Sequence, residues 1–220
     1  MSIQVIGYTG TVANVDGATF KALRVTSRAV EYGGLGIYRI SMLSGTIAGN
    51  HTNADIFQAR WTDPTRLALI WGVSLNGFGS GGGAVGTGFG NINVLVARNW
   101  TVDGSGGSAA TLSGNNQKID TSMGSTLMNA IRISTTGDLT AGTKTLDLEP
   151  IGQVAMSLAN LSNNVFIPGI TELYGSLEPD SNPAPVVLTQ NEGIVCQMTT
   201  PGGGNWQLGF TMSWAEVVSY

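Results

Sequence analysis

The clearest pattern in the chain is an alternation of large apolar and small or polar residues near its C-terminal end. Every second residue is large and apolar in the run Trp206, Leu208, Phe210, Met212 and Trp214. The residues between them are Gln207, Gly209, Thr211 and Ser213. A period of two predicts a half-buried β-strand, because successive side chains of a strand point to opposite faces. We therefore expect these five large side chains to form part of the main core.

Shorter apolar runs predict further strands. The run at 194–196 is joined to the C-terminal strand by Pro-Gly-Gly-Gly-Asn at 201–205, which predicts an antiparallel hairpin. Other runs predict strands at 38–43, 56–61, 67–73, 92–98, 131–135 and 143–148, with weaker signals at 3–8 and 186–189. One exception is a partly helical spacing of Met123, Leu127, Met128 and Ile131 after Asp120, which makes a short helix a candidate there.

Many short strands separated by turn residues predict an all-β fold, an antiparallel β-sandwich or jelly roll. Two long loops interrupt the strands: a glycine-rich one at 76–91 and one at 161–185 with four prolines. No change of composition marks a domain boundary, so we expect residues 1–220 to form a single β domain, with residues 1–31 as a candidate N-terminal arm.

The amino-acid composition argues against several classes of function. Only 11% of residues are charged, against about 25% in a typical soluble domain, as expected for a subunit that packs against neighbours. The net charge is −4 and the basic residues are scattered, which argues against nucleic-acid binding. The longest apolar run, 67–71, is far shorter than a membrane span, and no signal peptide is apparent. The single cysteine, Cys196, is expected to be a buried thiol.

Residues that could perform chemistry are few. One histidine, His51, and one cysteine cannot build an ordinary zinc site. The glycines at 86, 88 and 90 precede a strand-like segment, whereas a dinucleotide fingerprint opens a helix. Most carboxylates stand beside turn residues, which explains them without catalysis. We therefore expect no catalytic, cofactor-binding or metal-binding residues and no enzyme activity.

Tryptophans leave one alternative open, because lectins use exposed aromatic rings as sugar platforms. Four of the five lie in strand-like runs and are expected to be core residues: Trp61, Trp71, Trp206 and Trp214. Trp100 follows a predicted strand and fits either role. A carbohydrate-binding module of an adhesin or fibre therefore remains the alternative function, and a polysaccharide hydrolase is a third.

Several longer stretches carry a resemblance. They are Phe-Gln-Ala-Arg-Trp-Thr at 57–62, Ala-Arg-Asn-Trp-Thr at 97–101, Gly-Thr-Lys-Thr-Leu-Asp at 142–147, Leu-Thr-Gln-Asn-Glu-Gly-Ile-Val at 188–195, and Trp-Ala-Glu-Val at 214–217. From about Tyr32 onward the chain resembles uncharacterised virion structural proteins of tailed bacteriophages, of the head decoration or cement type.

The resemblance implies a β-rich capsid decoration subunit. Such a protein would be made in the host cytoplasm, reside in the virion, and bind itself as a homo-oligomer, with a trimer expected, and the major capsid protein. It would use no cofactor, nucleic acid or membrane. We expect the interfaces to involve residues 1–11 and the two long loops.

Overall fold

The computed structural model describes residues 35–80, 88–158, 166–167, 171–175 and 185–219. The candidate arm at 1–31, the weak strand signal at 3–8 and the centre of the glycine-rich loop lie outside these residues.

The described residues form strands and connecting turns, with no helix among them. The strands are β1 (Gly36–Leu43), β2 (Ile47–Ala48), β3 (Ala54–Trp61), β4 (Leu67–Ser80), β5 (Gly88–Val102), β6 (Ser108–Ala109), β7 (Ala130–Ile133), β8 (Thr143–Leu146), β9 (Gly152–Leu158), β10 (Phe166–Ile167), β11 (Thr171–Gly175), β12 (Val186–Leu188), β13 (Glu192–Thr199) and β14 (Asn205–Val217).

Two antiparallel sheets pack against each other as a β-sandwich. The first sheet has the order β1-β14-β4, with β10, β11 and β12 along the far side of β4 and β2 beside β14. The second has the order β6-β7-β3-β13-β5, with β8 and β9 along the far side of β5. Strands that are distant in sequence are thus neighbours in both sheets. The expected all-β, antiparallel sandwich is confirmed.

The main core fills the space between the two sheets. The five large side chains that alternate along β14 are all completely buried, as their spacing predicts. Phe210 of the first sheet contacts Phe57 of the second, with ring centroids 5.6 Å apart. Trp214 stacks on Tyr38 of the neighbouring strand β1 at 5.4 Å. These contacts make β14 a main contributor to the core.

The prediction of a hairpin between β13 and β14 is wrong. β13 pairs with β3 and β5, whereas β14 pairs with β1 and β4. Each strand already has a neighbour on both sides, so the Pro-Gly-Gly-Gly segment between them crosses from one sheet to the other. The turn was correctly placed, but a turn signal does not tell whether the two strands share a sheet.

Other strands differ from the prediction in length or were not predicted. β4 and β5 are longer than predicted and run into both ends of the glycine-rich segment, because β14, β10 and β9 pair with them there. β9 and β11 were not expected, and β11 lies within the proline-containing segment. The candidate helix after Asp120 is absent: a turn at 120–123 leads through an extended segment into β7.

Candidate functional site

The outer face of the first sheet, turned away from the core, carries a row of apolar residues. In register across four adjacent strands lie Ile37, Ala215, Leu69 and Val187. With their neighbours they form a cluster separate from the main core, here called the outer apolar cluster: Ile37, Leu67, Leu69, Trp71, Val187, Ala215 and Val217. Leu69, Ala215 and Val217 are already buried within this chain, whereas Ile37, Leu67, Trp71 and Val187 remain partly exposed. This part of the first sheet is therefore apolar on both faces.

This arrangement is unusual for a free antiparallel sheet, whose solvent side normally carries polar residues. The outer face of the second sheet offers a contrast within the same molecule. There Arg60 lies 2.6 Å from Asp103, and Gln58 and Gln197 donate hydrogen bonds to Asp55. That face also carries a smaller apolar group, Ala97, Trp100, Val195 and the partly buried Leu146, so the two outer faces differ in their balance of apolar and ionic residues.

A groove of about 350 Å³ continues from the outer apolar cluster along the same face. Its apolar lining includes Ile37, Trp71, Tyr174 and the exposed side chain of Ile119. Its hydroxyl lining comes from Ser74, Thr211 and Ser213. The volume lies at the lower end of the range for small-molecule pockets.

Two opposite charges flank this groove. Arg39 is on β1 and Glu172 is on β11, and both side chains are exposed. The order β1-β14-β4-β11 places these strands three spacings apart, or about 14 Å. Within the described part of the chain, neither the guanidinium nor the carboxylate has an ion-pair partner. The face thus ends in a cation on one side and an anion on the other.

The tryptophan predictions are only partly confirmed. Trp61, Trp206 and Trp214 are core residues. Trp71 belongs to the outer face, because the strand run 67–73 is apolar on both sides and its alternation does not tell which side meets the core. Trp100 is buried outside the main core, against Ala97 and Val195.

A buried ionic network lies on the second sheet. Nζ of Lys144 is 2.7 Å from Oδ2 of Asp55, with 2% and 5% of the side chains exposed. Gln58 and Gln197 donate to the two oxygens of Asp55 at 2.7 and 2.8 Å. The ammonium also donates to the carbonyl of Ala141 and lies 4.9 Å from the centroid of the Trp100 ring. With both oxygens of Asp55 occupied, the network is structural in character.

His51 is buried at the start of β3. Its Nδ1 lies 2.6 Å from Oδ1 of Asp138, an ion-pair distance without hydrogen-bond geometry. Its backbone exchanges hydrogen bonds with Thr200, which fixes the start of the sheet crossing. No hydroxyl among the described residues hydrogen-bonds either ring nitrogen. The arrangement therefore brings a carboxylate to His51 but not the nucleophile that a catalytic triad needs.

Glu216 is a buried carboxylate at the end of β14. It accepts hydrogen bonds from the backbone N–H and hydroxyl of 126–127 and from Nε1 of Trp214. Burial nevertheless raises the pKa of this carboxyl, and the charge of Asp63 adds to the effect. Burial, with the negative charge of Glu216, also raises the pKa of Tyr38 to about 12. The carboxylate anchors the segment before β7 to the first sheet.

This anchor makes a prediction about pH. A carboxyl whose pKa is raised in the folded state binds protons more tightly there than in the unfolded chain. Its contribution to stability is complete below its ordinary pKa of 4.5 and is lost as pH rises through the folded value. We expect the melting temperature of Glu216→Gln, relative to the unaltered protein, to rise between pH 4 and pH 7. A constant difference across that range, measured by thermal denaturation, would contradict the assignment.

The remaining candidates have no ligand-binding arrangement. Cys196 is fully buried, and burial raises the pKa of its thiol. The centre of the glycine-rich loop lies outside the described residues. Within the described ranges, no three His, Cys, Asp or Glu residues come together as a metal site, and no helix could cross a membrane.

Comparison with known proteins yields no match: no family model, curated protein or solved structure is similar to this chain.

Proposed function

We propose that this chain is a structural subunit of a bacteriophage virion, a capsid decoration or cement protein that acts through contact area and not through catalysis. The observation that carries the proposal is the apolar row Ile37, Ala215, Leu69 and Val187 on the outer face of the first sheet. The partly exposed members of the outer apolar cluster leave apolar surface that a second molecule can cover.

The physical role of such a subunit follows from symmetry. Self-association covers the outer apolar cluster and multiplies the contacts that each assembly makes with a repeating lattice. Many shallow contacts to the major capsid protein then add up to firm attachment, and the assembled shell is stabilised because only the assembled state binds the decorator. The low content of charged residues, 11%, supports a protein whose surface is extensively covered in its working state.

Self-association can be tested in solution. We expect light scattering coupled to size-exclusion chromatography to give a homo-oligomer and not a monomer. Val187→Glu, which places a charge on the partly exposed row, is expected to shift the protein to the monomer with little loss of thermal stability. Leu148→Glu is the matched control, since Leu148 is 96% exposed and belongs to neither cluster. A monomeric unaltered protein over the accessible concentration range would contradict self-association.

Location on the particle needs a separate experiment. Purified virions that carry this chain should show it at regular positions on the head by electron cryomicroscopy. Density confined to the tail, or absence of the chain from washed particles, would contradict a decoration role.

The groove supports a second candidate function, a carbohydrate-binding module of an adhesin or fibre. Trp71 and Tyr174 line it beside Arg39 and Glu172, a combination of rings and polar groups that suits a sugar. A glycan array distinguishes the two functions. Glycan binding that is lost in Trp71→Ala favours the carbohydrate-binding module. An array without hits argues against that module and favours the structural role.

A further inference from the structure

The chemistry of the outer face is self-complementary. The outer apolar cluster and the adjoining groove are bounded by Arg39 near one margin and Glu172 near the other. Both are exposed, and neither has an ion-pair partner within the residues that the structure describes. The face therefore carries an exposed cation and an exposed anion on either side of an apolar strip, neither of them ion-paired to a described residue.

We infer that this face binds a second copy of the same chain, and that Arg39 of each copy pairs with Glu172 of the adjoining copy. The inference rests on the self-association proposed above and specifies its surface and its register. Glu172 on β11 lies within the 161–185 segment that the sequence suggested as an interface, whereas Arg39 on β1 lies outside all of those segments.

A second copy fits this face because one chain supplies both halves of the contact. Apolar side chains meet apolar side chains, while the cation of one margin meets the anion of the other. Because the same face takes part on both copies, a two-fold axis relates them, and each dimer contains the Arg39–Glu172 pair twice. A partner of uniform charge would leave either Arg39 or Glu172 facing a like charge, which is unfavourable near a dry surface.

The two charges have separate tasks in this contact. The partly exposed members of the outer apolar cluster, Ile37, Leu67, Trp71 and Val187, supply the burial that drives association. The ion pair excludes misregistered packings, because sliding one copy along the strands would place a charge against apolar side chains or against a like charge. Once association removes the Arg39–Glu172 ion pair from solvent, salt screens it less than it screens an exposed ion pair. The pair still forms only if the two side chains carry opposite charges.

Charge reversal tests the pairing directly. Arg39→Glu and Glu172→Arg each place like charges opposite one another, so each is expected to weaken self-association by about tenfold or more. The double variant restores opposite signs with the positions exchanged and is expected to return to within about threefold of the original affinity. Sedimentation velocity over a dilution series measures all four proteins. Arg132→Glu, on β7 of the second sheet, is the matched control and should associate normally.

The outcomes separate the two levels of the proposal. An unaltered protein that stays monomeric overturns self-association and this inference together. An oligomer that tolerates both single reversals, or one that the double reversal fails to rescue, overturns the Arg39–Glu172 pairing alone. Thermal melting of each variant confirms that the fold is intact, as expected for two exposed side chains. A variant that does not fold is replaced by Arg39→Gln or Glu172→Gln, which should weaken association in the same direction.

Discussion

Replacement of Phe210 by aspartate is expected to leave the chain unfolded. Phe210 is completely buried on β14, and its ring lies 5.6 Å from that of Phe57 on the opposite sheet. Removal of a buried phenylalanine costs about 3–5 kcal/mol. The introduced carboxylate would have to lose its hydration without gaining a partner, which adds several kcal/mol more. The sum approaches or exceeds the whole stability of a typical domain, about 5–15 kcal/mol.

The measurement is the recovery of soluble protein together with far-ultraviolet circular dichroism. Gln207→Asp provides the control, because it introduces the same side chain on the same strand at an exposed position. We expect that variant to change stability by no more than about 0.5 kcal/mol. A soluble Phe210→Asp protein with a normal melting transition would show that the core assignment of β14 is wrong.

Loss of Lys144 is expected to have the second largest effect. Its ammonium is almost fully buried and neutralises Asp55 at 2.7 Å. Lys144→Ala leaves the carboxylate in place with only Gln58 and Gln197 as donors. Breaking a buried ion pair from one side costs about 3–5 kcal/mol. For a domain of this size the melting temperature should fall by about 10 °C.

The double variant Asp55→Asn with Lys144→Met separates the charge from the packing. Because it removes both charges and keeps most of the volume, we expect it to recover at least about half of the lost stability. Lys118→Ala is the control, since Lys118 reaches only the side-chain oxygen of Asn115 in an exposed hydrogen bond. Equal destabilisation by Lys144→Ala and Lys118→Ala would show that the buried Lys144–Asp55 pair contributes no more to the free energy of unfolding than an exposed hydrogen bond.

The pattern of β14 shows what local sequence predicts well. In a half-buried strand, strict alternation predicts both the strand conformation and the face that meets the core. In β14 all five large residues are indeed in the core. The run from Leu67 to Val73 shows the limit. It is apolar on both sides, so its strand conformation was evident, but its second contact face was not.

Features that depend on distant parts of the chain could not be predicted. Asp55 and Lys144 are separated by 89 residues and meet only because β3 and β8 fall in one sheet. The segments at 76–80 and 88–91 have the composition of a loop, yet their backbones pair with β14 and β9. Arg39 and Glu172 are far apart in sequence, and only the strand order places them on either side of one groove. In each case, tertiary pairing overrides local preference.

The positions of β13 and β14 have a consequence for biosynthesis. β13 separates β3 from β5, and β14 separates β1 from β4, so neither sheet has a continuous centre until these late segments leave the ribosome. Until then, the edges of the earlier strands have backbone N–H and C=O groups without strand partners. Pairing between strands that are far apart in sequence is also slow. A nascent chain stalled before residue 192 should therefore remain protease-sensitive and bind chaperones, whereas release of the last two strands should close both sheets in one cooperative event.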